Sequence, residues 1–179
     1  YVDERFAATH RHYDRLLALR KLGRQQEARA GIERFTREFP RDARGWSLLG
    51  QSRAEGGDFE AAHAALQRAV DLDPSTAVYW NNLGVTLARL DRNAEAGQAF
   101  ARVYALDSTF PDAAYSTAAA YSQAGEMQKA AEWVVTCLDR RLGDPARFLS
   151  DENFAPLRAT PHWPRERIAA AVAASRTNP

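Results

Sequence analysis

The sequence predicts an all-α protein, a right-handed α-solenoid of four helix pairs with an N-terminal helical extension and a C-terminal capping helix segment. Three ladders of residues, all with the same constant step, carry this prediction. A fixed period of about 34 residues is typical of helical repeat arrays. One ladder is alanine, one contains turn-forming residues, and one is bulky and apolar. They are Ala28, Ala62, Ala96 and Ala130; Gly23, Gly57, Asp91 and Gly125; and Ile32, Leu66, Phe100 and Val134.

Each ladder has a structural interpretation. Gly adopts a left-handed backbone freely and Asp tolerates it, so the second ladder predicts the turn between two helices. The bulky ladder follows the alanine by four positions and therefore lies on the same face of the second helix. The first helix carries a small residue at Gly50, Gly84 and Ala118, with Leu16 at this place in the first unit. We expect these small residues to pack against the alanines.

The ladders also place the helices along the chain. We expect them near residues 3–22, 25–38, 43–56, 58–72, 76–90, 92–106, 111–124 and 126–142. The first is longer than its counterparts, so residues 1–8 are predicted to extend it.

The ladders stop at Asp144. Residues 145–179 are predicted to hold a short helix near 145–149, an irregular proline-containing piece and a final helix near 165–175. Because a terminal repeat needs a cover for its outer surface, we expect this segment to cap the array. Its apolar residues are Phe148, Leu149, Phe154, Leu157, Trp163 and Ile168.

The repeat pattern resembles the tetratricopeptide repeat family. Residues 43–76 match it at Trp46, Leu49, Gly50, Ala62, Leu66, Ala69 and Pro74, with Arg53 in place of the expected Tyr. The resemblance implies four repeats, at 9–42, 43–76, 77–110 and 111–144. The family pattern is one of packing residues and contains no catalytic residue, so it implies a protein–protein interaction scaffold that is not an enzyme.

The rest of the sequence gives little sign of chemistry. It contains no phosphate-binding glycine loop, nucleophile elbow or paired metal-binding histidines or cysteines. Residues 1–44 carry eleven basic and seven acidic side chains, a net charge of +4, without the aromatic-interleaved basic stripe typical of nucleic-acid binding. We therefore expect no catalytic residue, metal or cofactor, no nucleic-acid partner and no membrane insertion.

The single cysteine, Cys137, falls on the predicted core face of the last repeat and is expected to be a buried packing thiol.

The composition also bears on the origin of the chain. The sequence starts at Tyr1 and its only methionine is Met127, which leads us to expect a processed protein or an excised domain. Arginine far outnumbers lysine, which favours a bacterial source. The sequence is compatible with two cellular compartments, the cytoplasm or, if an export signal has been removed, the periplasm.

The resemblance also implies where a partner binds. In that family, positions 2, 5, 9, 12 and 13 of each repeat face the concave groove, and we call them the inward positions. In the third repeat they are Val78, Asn81, Val85, Ala88 and Arg89. Amides suit an extended peptide backbone and tyrosines suit anchors. The predicted partner-binding residues are Tyr13, Gln51, Asn81, Asn82, Arg89, Asp112 and Tyr115.

Two interpretations of function stay open. The favoured one is a module that binds a peptide or partner helix in the concave groove. The alternative is an assembly element that self-associates, or docks onto the rest of its own chain, through terminal or convex surfaces. Some members of the family bind the C-terminal carboxylate of chaperones through a cluster of Lys, Asn and Arg residues. Binding of this kind is excluded here, because Asn82 alone of that cluster is present and Asp112 would repel a carboxylate.

Overall fold

The computed structural model describes residues 2–110 and 112–177, with backbone alone for residues 2–6 and 177. Tyr1, Pro111, Asn178 and Pro179, which fall within or between the predicted elements, lie outside the described residues. The described chain is all-α and of the α-solenoid class. It divides into two compact units, Tyr1–Asn82 and Leu83–Pro179.

Helices α1 (Val2–Lys21), α2 (Gln25–Glu38), α3 (Ala43–Glu55) and α4 (Phe59–Leu72) lie in the first unit. Helix α5 (Ala77–Arg89) continues from the first unit into the second. The second unit holds α6 (Asn93–Leu106), α7 (Ala113–Gln123), α8 (Met127–Asp139), α9 (Arg147–Ser150), a 3-10 turn at Glu152–Phe154, α10 (Ala155–Arg158) and α11 (Arg165–Thr177).

These helices lie close to the predicted ones, and the turn ladder explains why. Gly23, Gly57 and Gly125 have φ angles of +71°, +80° and +79°, and Asp91 has +56°. All four residues of the ladder are thus left-handed, as predicted. Helix α8 ends at Asp139, before its expected end at residue 142, because the left-handed Arg141 (φ +54°) terminates it.

The packing of the helix pairs corrects one expectation. A Cβ atom on Gly50 would lie 2.4 Å from Cγ of Leu66 and 3.1 Å from the carbonyl oxygen of Ala62. On Gly84 the nearest atoms belong to the Phe100 ring, at 2.8 Å. The glycine of the first helix therefore makes room for the bulky ladder residue of the second, more than for the alanine. The alanines are nonetheless fully buried.

The first repeat keeps this contact with the two sizes exchanged. Leu16 stands on its first helix where later repeats have a small residue, and the compensating glycine is Gly31 on α2. A Cβ on Gly31 would lie 2.5 Å from Cδ2 of Leu16. In the first three repeats a bulky side chain on one helix thus meets a glycine on the other.

The tryptophan and proline of the repeat pattern act together in the first unit. The indole N–H of Trp46 donates to the carbonyl oxygen of Pro40 at 3.0 Å, and Trp80 donates to Pro74 at 2.9 Å. Each bond ties the start of a first helix to the end of the preceding repeat. The fourth repeat, with Ala114 at the tryptophan position and Ser108 at the proline position, lacks this bond.

The residues after α8 form a closing segment, residues 145–177, that packs on α7 and α8. Phe148, Phe154, Leu157 and Ile168 are fully buried with Cys137 in one core of the second unit, and Trp163 packs against it. Leu149 departs from expectation, because 50% of it is exposed. Cys137 is buried as predicted, and burial raises the pKa of its thiol to about 12.

Candidate functional site

The inward positions of the first repeats lie on α1 and α3 of the first unit, where Tyr13 and Arg44 form a cluster. The Arg44 guanidinium lies over the Tyr13 ring, 5.0 Å from its centroid. The same guanidinium is paired with Asp42 at 2.6 Å and contacts Nε2 of His10 at 3.1 Å. Because its donors are engaged, Arg44 supports Tyr13 and is not a free cation for a ligand. Burial raises the pKa of Tyr13, partly offset by Arg44.

Gln51 belongs to a second polar cluster on the same unit. Its side-chain oxygen accepts a hydrogen bond from Arg20 at 3.1 Å, and its Nε2 donates to the Ser47 hydroxyl at 3.3 Å. Arg20 also pairs with Glu55. The predicted backbone-binding amide is therefore held in place by its own chain, and the second N–H of its NH₂ group is the donor that it can offer to a partner.

Helix α5 presents a different surface. Val78, Asn81 and Val85 are spaced by three and four positions, so they lie on one face of this helix. Val78 and Val85 are exposed to 48% and 47%, while Asn81 is half-buried between them. Arg89 is exposed one turn further on, and Asn82 is half-buried beside Asn81. The face thus offers two apolar contacts flanking the side-chain amide of Asn81, whereas the side-chain nitrogen of Asn82 is buried.

In the fourth repeat the predicted anchor Tyr115 is a core residue. Only 8% of it is exposed, and its ring packs against Phe148 and Phe154 with centroids 5.1 and 5.3 Å away. Its hydroxyl donates to Oδ2 of Asp151 at 2.5 Å. Burial, with this hydrogen bond, raises the pKa of Tyr115 well above its usual value. The reason is the closing segment, which covers the ring and engages the hydroxyl, so we remove Tyr115 from the proposed contact set.

Asp112 and Gln123, on the same repeat, also contact the closing segment. Asp112, which is left-handed at φ +56°, pairs with Arg147 at 2.8 Å, and Arg147 lies 4.0 Å from the Tyr115 ring centroid. The Gln123 side chain donates to the carbonyl oxygen of Asn153 at 2.9 Å. Burial alone would raise the pKa of Asp151, but hydrogen bonds from Tyr115 and Asn153 lower it overall. The closing segment is therefore fixed to the fourth repeat by polar contacts as well as by packing of its aromatic rings.

The structure divides the predicted residues into distinct groups. Tyr13 and Gln51 lie in polar clusters of the first unit, and Asn81, Asn82 and Arg89 lie along α5. Asp112 and Tyr115 contact the closing segment. Reasoning from the sequence left Val78 and Val85 out of the contact set, although they occupy inward positions. An apolar residue at a position predicted to face solvent was the available signal.

Other kinds of site have less support in the described residues. Within residues 2–110 and 112–177, no three His, Cys, Asp or Glu side chains come together in a way that could hold a metal ion. None of the described helices is long and apolar enough to cross a membrane.

Comparisons with known proteins agree with this fold. A family model described as tetratricopeptide repeat matches residues 13–62 and 48–109, together more than half of the chain. The peroxisomal targeting signal receptor of Candida glabrata is 33% identical over 81 residues, which cover 45% of this chain and 14% of the receptor. The chain therefore spans only a small part of that relative's length.

Two solved structures are similar over nearly the whole chain. MamA has a TM-score of 0.71 at 21% identity, covering 89% of this chain and 91% of its own. YrrB, described as a TPR protein with an unusual peptide-binding site, has a TM-score of 0.72 at 12% identity, covering 92% and 90%. Both likenesses concern the fold. The repeat pattern, the fold and the matched family model make the chain a protein–protein interaction module, and it belongs to the tetratricopeptide repeat family.

Proposed function

We propose that this module binds an extended peptide segment of a partner protein, with the inward face of α5 as the central contact. The observation that carries the proposal is the pair of exposed valines, Val78 and Val85, with Asn81 between them. Exposed large apolar side chains are costly to leave in water, and grouped on one face they mark an interaction surface. Here they stand at positions that face the groove in this family.

An extended peptide fits the chemistry of this face. Its backbone offers one donor and one acceptor at each residue, which a side-chain amide such as that of Asn81 can meet. Its side chains alternate in direction, so apolar ones can contact the valines. Gln51 and Tyr13 of the first unit, with Asn82, Arg89 and Asp112, are the further contacts that we propose.

The comparisons support a peptide ligand. The relative from Candida glabrata is named as a receptor of a targeting signal, and the description of YrrB names a peptide-binding site. We propose that the chain acts as a non-catalytic scaffold, since its family pattern consists of packing residues. Binding through one such face is expected at about micromolar strength, or about 8 kcal/mol.

The test uses a phage-displayed library of linear twelve-residue peptides selected on the whole chain. Selected peptides are labelled, and their affinity is measured by fluorescence polarisation for the unaltered chain, Val78→Glu and Val85→Glu. We expect each variant to bind about tenfold more weakly or worse, because a charge replaces an apolar contact.

Leu22→Glu is the matched control, because Leu22 is 71% exposed but lies at the turn after α1. It should bind as the unaltered chain does, and circular dichroism should show equal helicity for all variants. Unchanged binding by both valine variants, or an equal loss in Leu22→Glu, would contradict the proposal.

A further inference from the structure

The closing segment keeps the register of the repeats. Phe148 stands one repeat period after Ala114 and two after Trp80, at the tryptophan position, and it is fully buried. Ile168 stands one period after Val134 and continues the bulky ladder, again fully buried. The helices agree, with α9 and α10 in place of a first helix and α11 in place of a second. Residues 145–177 therefore have the plan of a fifth repeat.

The first helix of this fifth repeat is interrupted, and other groups replace its missing hydrogen bonds. Asp151 is extended at φ −72° and ψ +122°, which ends α9. Arg158 donates to the carbonyl oxygens of Phe148 and Asp151 at 3.2 and 2.7 Å. Because the interruption separates α9 from α10, the inward positions of the repeat can be assigned only within α9.

Within α9, the register places Leu149 at inward position 5. It stands one repeat period after Tyr115 and two after Asn81. Phe148, next to it in the helix, is buried against α7, whereas 50% of Leu149 is exposed. Leu149 thus repeats what Val85 does in the same unit, an exposed apolar residue at an inward position. Packing does not explain either residue.

The charge around Leu149 restricts its partner. The stretch 144–154 carries three carboxylates, Asp144, Asp151 and Glu152. Two cations lie beside them, and both are engaged within the chain: Arg147 is paired with Asp112, and Arg158 donates to the two backbone carbonyls named above. Glu152 is exposed and has no ion pair among the described residues. Glu152 is therefore a carboxylate near Leu149 that a partner can pair with, which favours a basic side chain on whatever binds there.

We infer that Leu149 is a partner-contact residue of a fifth repeat unit, and that it meets an apolar side chain adjacent to a Lys or Arg on the bound peptide. This inference rests on the proposed function, because it adds a contact for the same bound peptide on the closing segment. It also assigns sequence preference to that end of the peptide, which the amides of the other repeats do not.

The test measures the same library-selected peptides against Leu149→Glu, Glu152→Lys and Val85→Glu by fluorescence polarisation. We expect the selected peptides to be enriched in an apolar residue next to Lys or Arg. Leu149→Glu should weaken their binding about tenfold, and Glu152→Lys should weaken binding of the basic peptides more than that of variants with Lys or Arg replaced by Gln. Both residues are exposed, so helicity and melting temperature should be unchanged.

The outcomes separate the two proposals. If Val85→Glu weakens binding while Leu149→Glu binds as the unaltered chain does, the inference is overturned and the proposed function stands. If neither variant weakens binding, both are overturned. A selection that yields no binding peptide contradicts both. Loss of binding in Leu149→Glu with Leu22→Glu unaffected supports the inference.

Discussion

Tyr13 and Tyr115 occupy the same position of the first and fourth repeats, yet their surroundings differ. Each has an arginine over its ring, Arg44 at 5.0 Å and Arg147 at 4.0 Å. Tyr13 is half-buried in a polar cluster, whereas Tyr115 is buried under Phe148 and Phe154 with its hydroxyl bonded to Asp151. Whether a residue at this position stays partly exposed or becomes a core residue therefore depends on the next segment of the array, and not on the position alone.

The largest expected effect comes from truncating the two tyrosines. Tyr115→Ala should lower the free energy of unfolding by about 3–5 kcal/mol, because it leaves a cavity among buried aromatic rings. Tyr13→Ala should cost about 1 kcal/mol, as is usual for a partly exposed residue. Urea unfolding followed by circular dichroism gives both values. An equal loss of unfolding free energy in the two variants would contradict the difference in burial between the two tyrosines.

Glycine-to-alanine substitutions test whether the two units also differ in how tightly their cores are packed. Gly50→Ala brings a methyl against Leu66, and Gly97→Ala in the second unit brings one within 2.9 Å of the Tyr121 ring. Both changes overpack a core and should cost about 1–3 kcal/mol. The double variant Gly50→Ala with Leu66→Ala should not cost more than the sum of the single changes. Similar losses of unfolding free energy in both units would show that their cores are alike, and that the two repeats differ at the inward positions.

A smaller effect is expected from pH at Asp151, the closing-segment residue that accepts the hydrogen bond of the Tyr115 hydroxyl. The pKa of Asp151 is lowered in the folded chain, below the usual value of about 3.9 for an unfolded aspartate. Its contribution to stability is therefore present above about pH 4 and is lost as the pH falls through the folded pKa.

Asp151→Asn makes this prediction measurable. The difference in unfolding free energy between this variant and the unaltered chain should be greatest near pH 7 and should shrink below about pH 4. Urea unfolding at a series of pH values measures it. A difference that stays constant from neutral to acid pH would show that Asp151 acts through packing alone.

The same contrast explains what the sequence could predict. The ladders located the helices and turns because left-handed residues and close helix contacts require particular residue types, as at Gly57 and Gly84. The fifth repeat unit was hidden, since Ala159 and Pro164 stand where the glycine and alanine ladders would continue.

The state of the candidate contacts could not be predicted in the same way. Whether Tyr115 faces a groove or a core depends on Phe148 and Phe154, which lie in the closing segment, distant in the sequence. Val78 and Val85 stand at inward positions without such a cover and are exposed. The sequence did not mark these two residues as partner contacts, because two valines do not form a recognisable motif.

Nuclear magnetic resonance of the side-chain amides tests the central claim most directly. A library-selected peptide is titrated into the ¹⁵N-labelled chain, and the amide signals of Asn81 are compared with those of Gln67 and Gln128. The latter two are bonded to Asp71 and Glu132 on exposed faces of second helices, at 2.9 and 3.2 Å. The proposed function predicts that the Asn81 signals shift on binding while those of Gln67 and Gln128 stay in place. Shifts confined to Gln67 or Gln128, with Asn81 unmoved in the bound state, would contradict it.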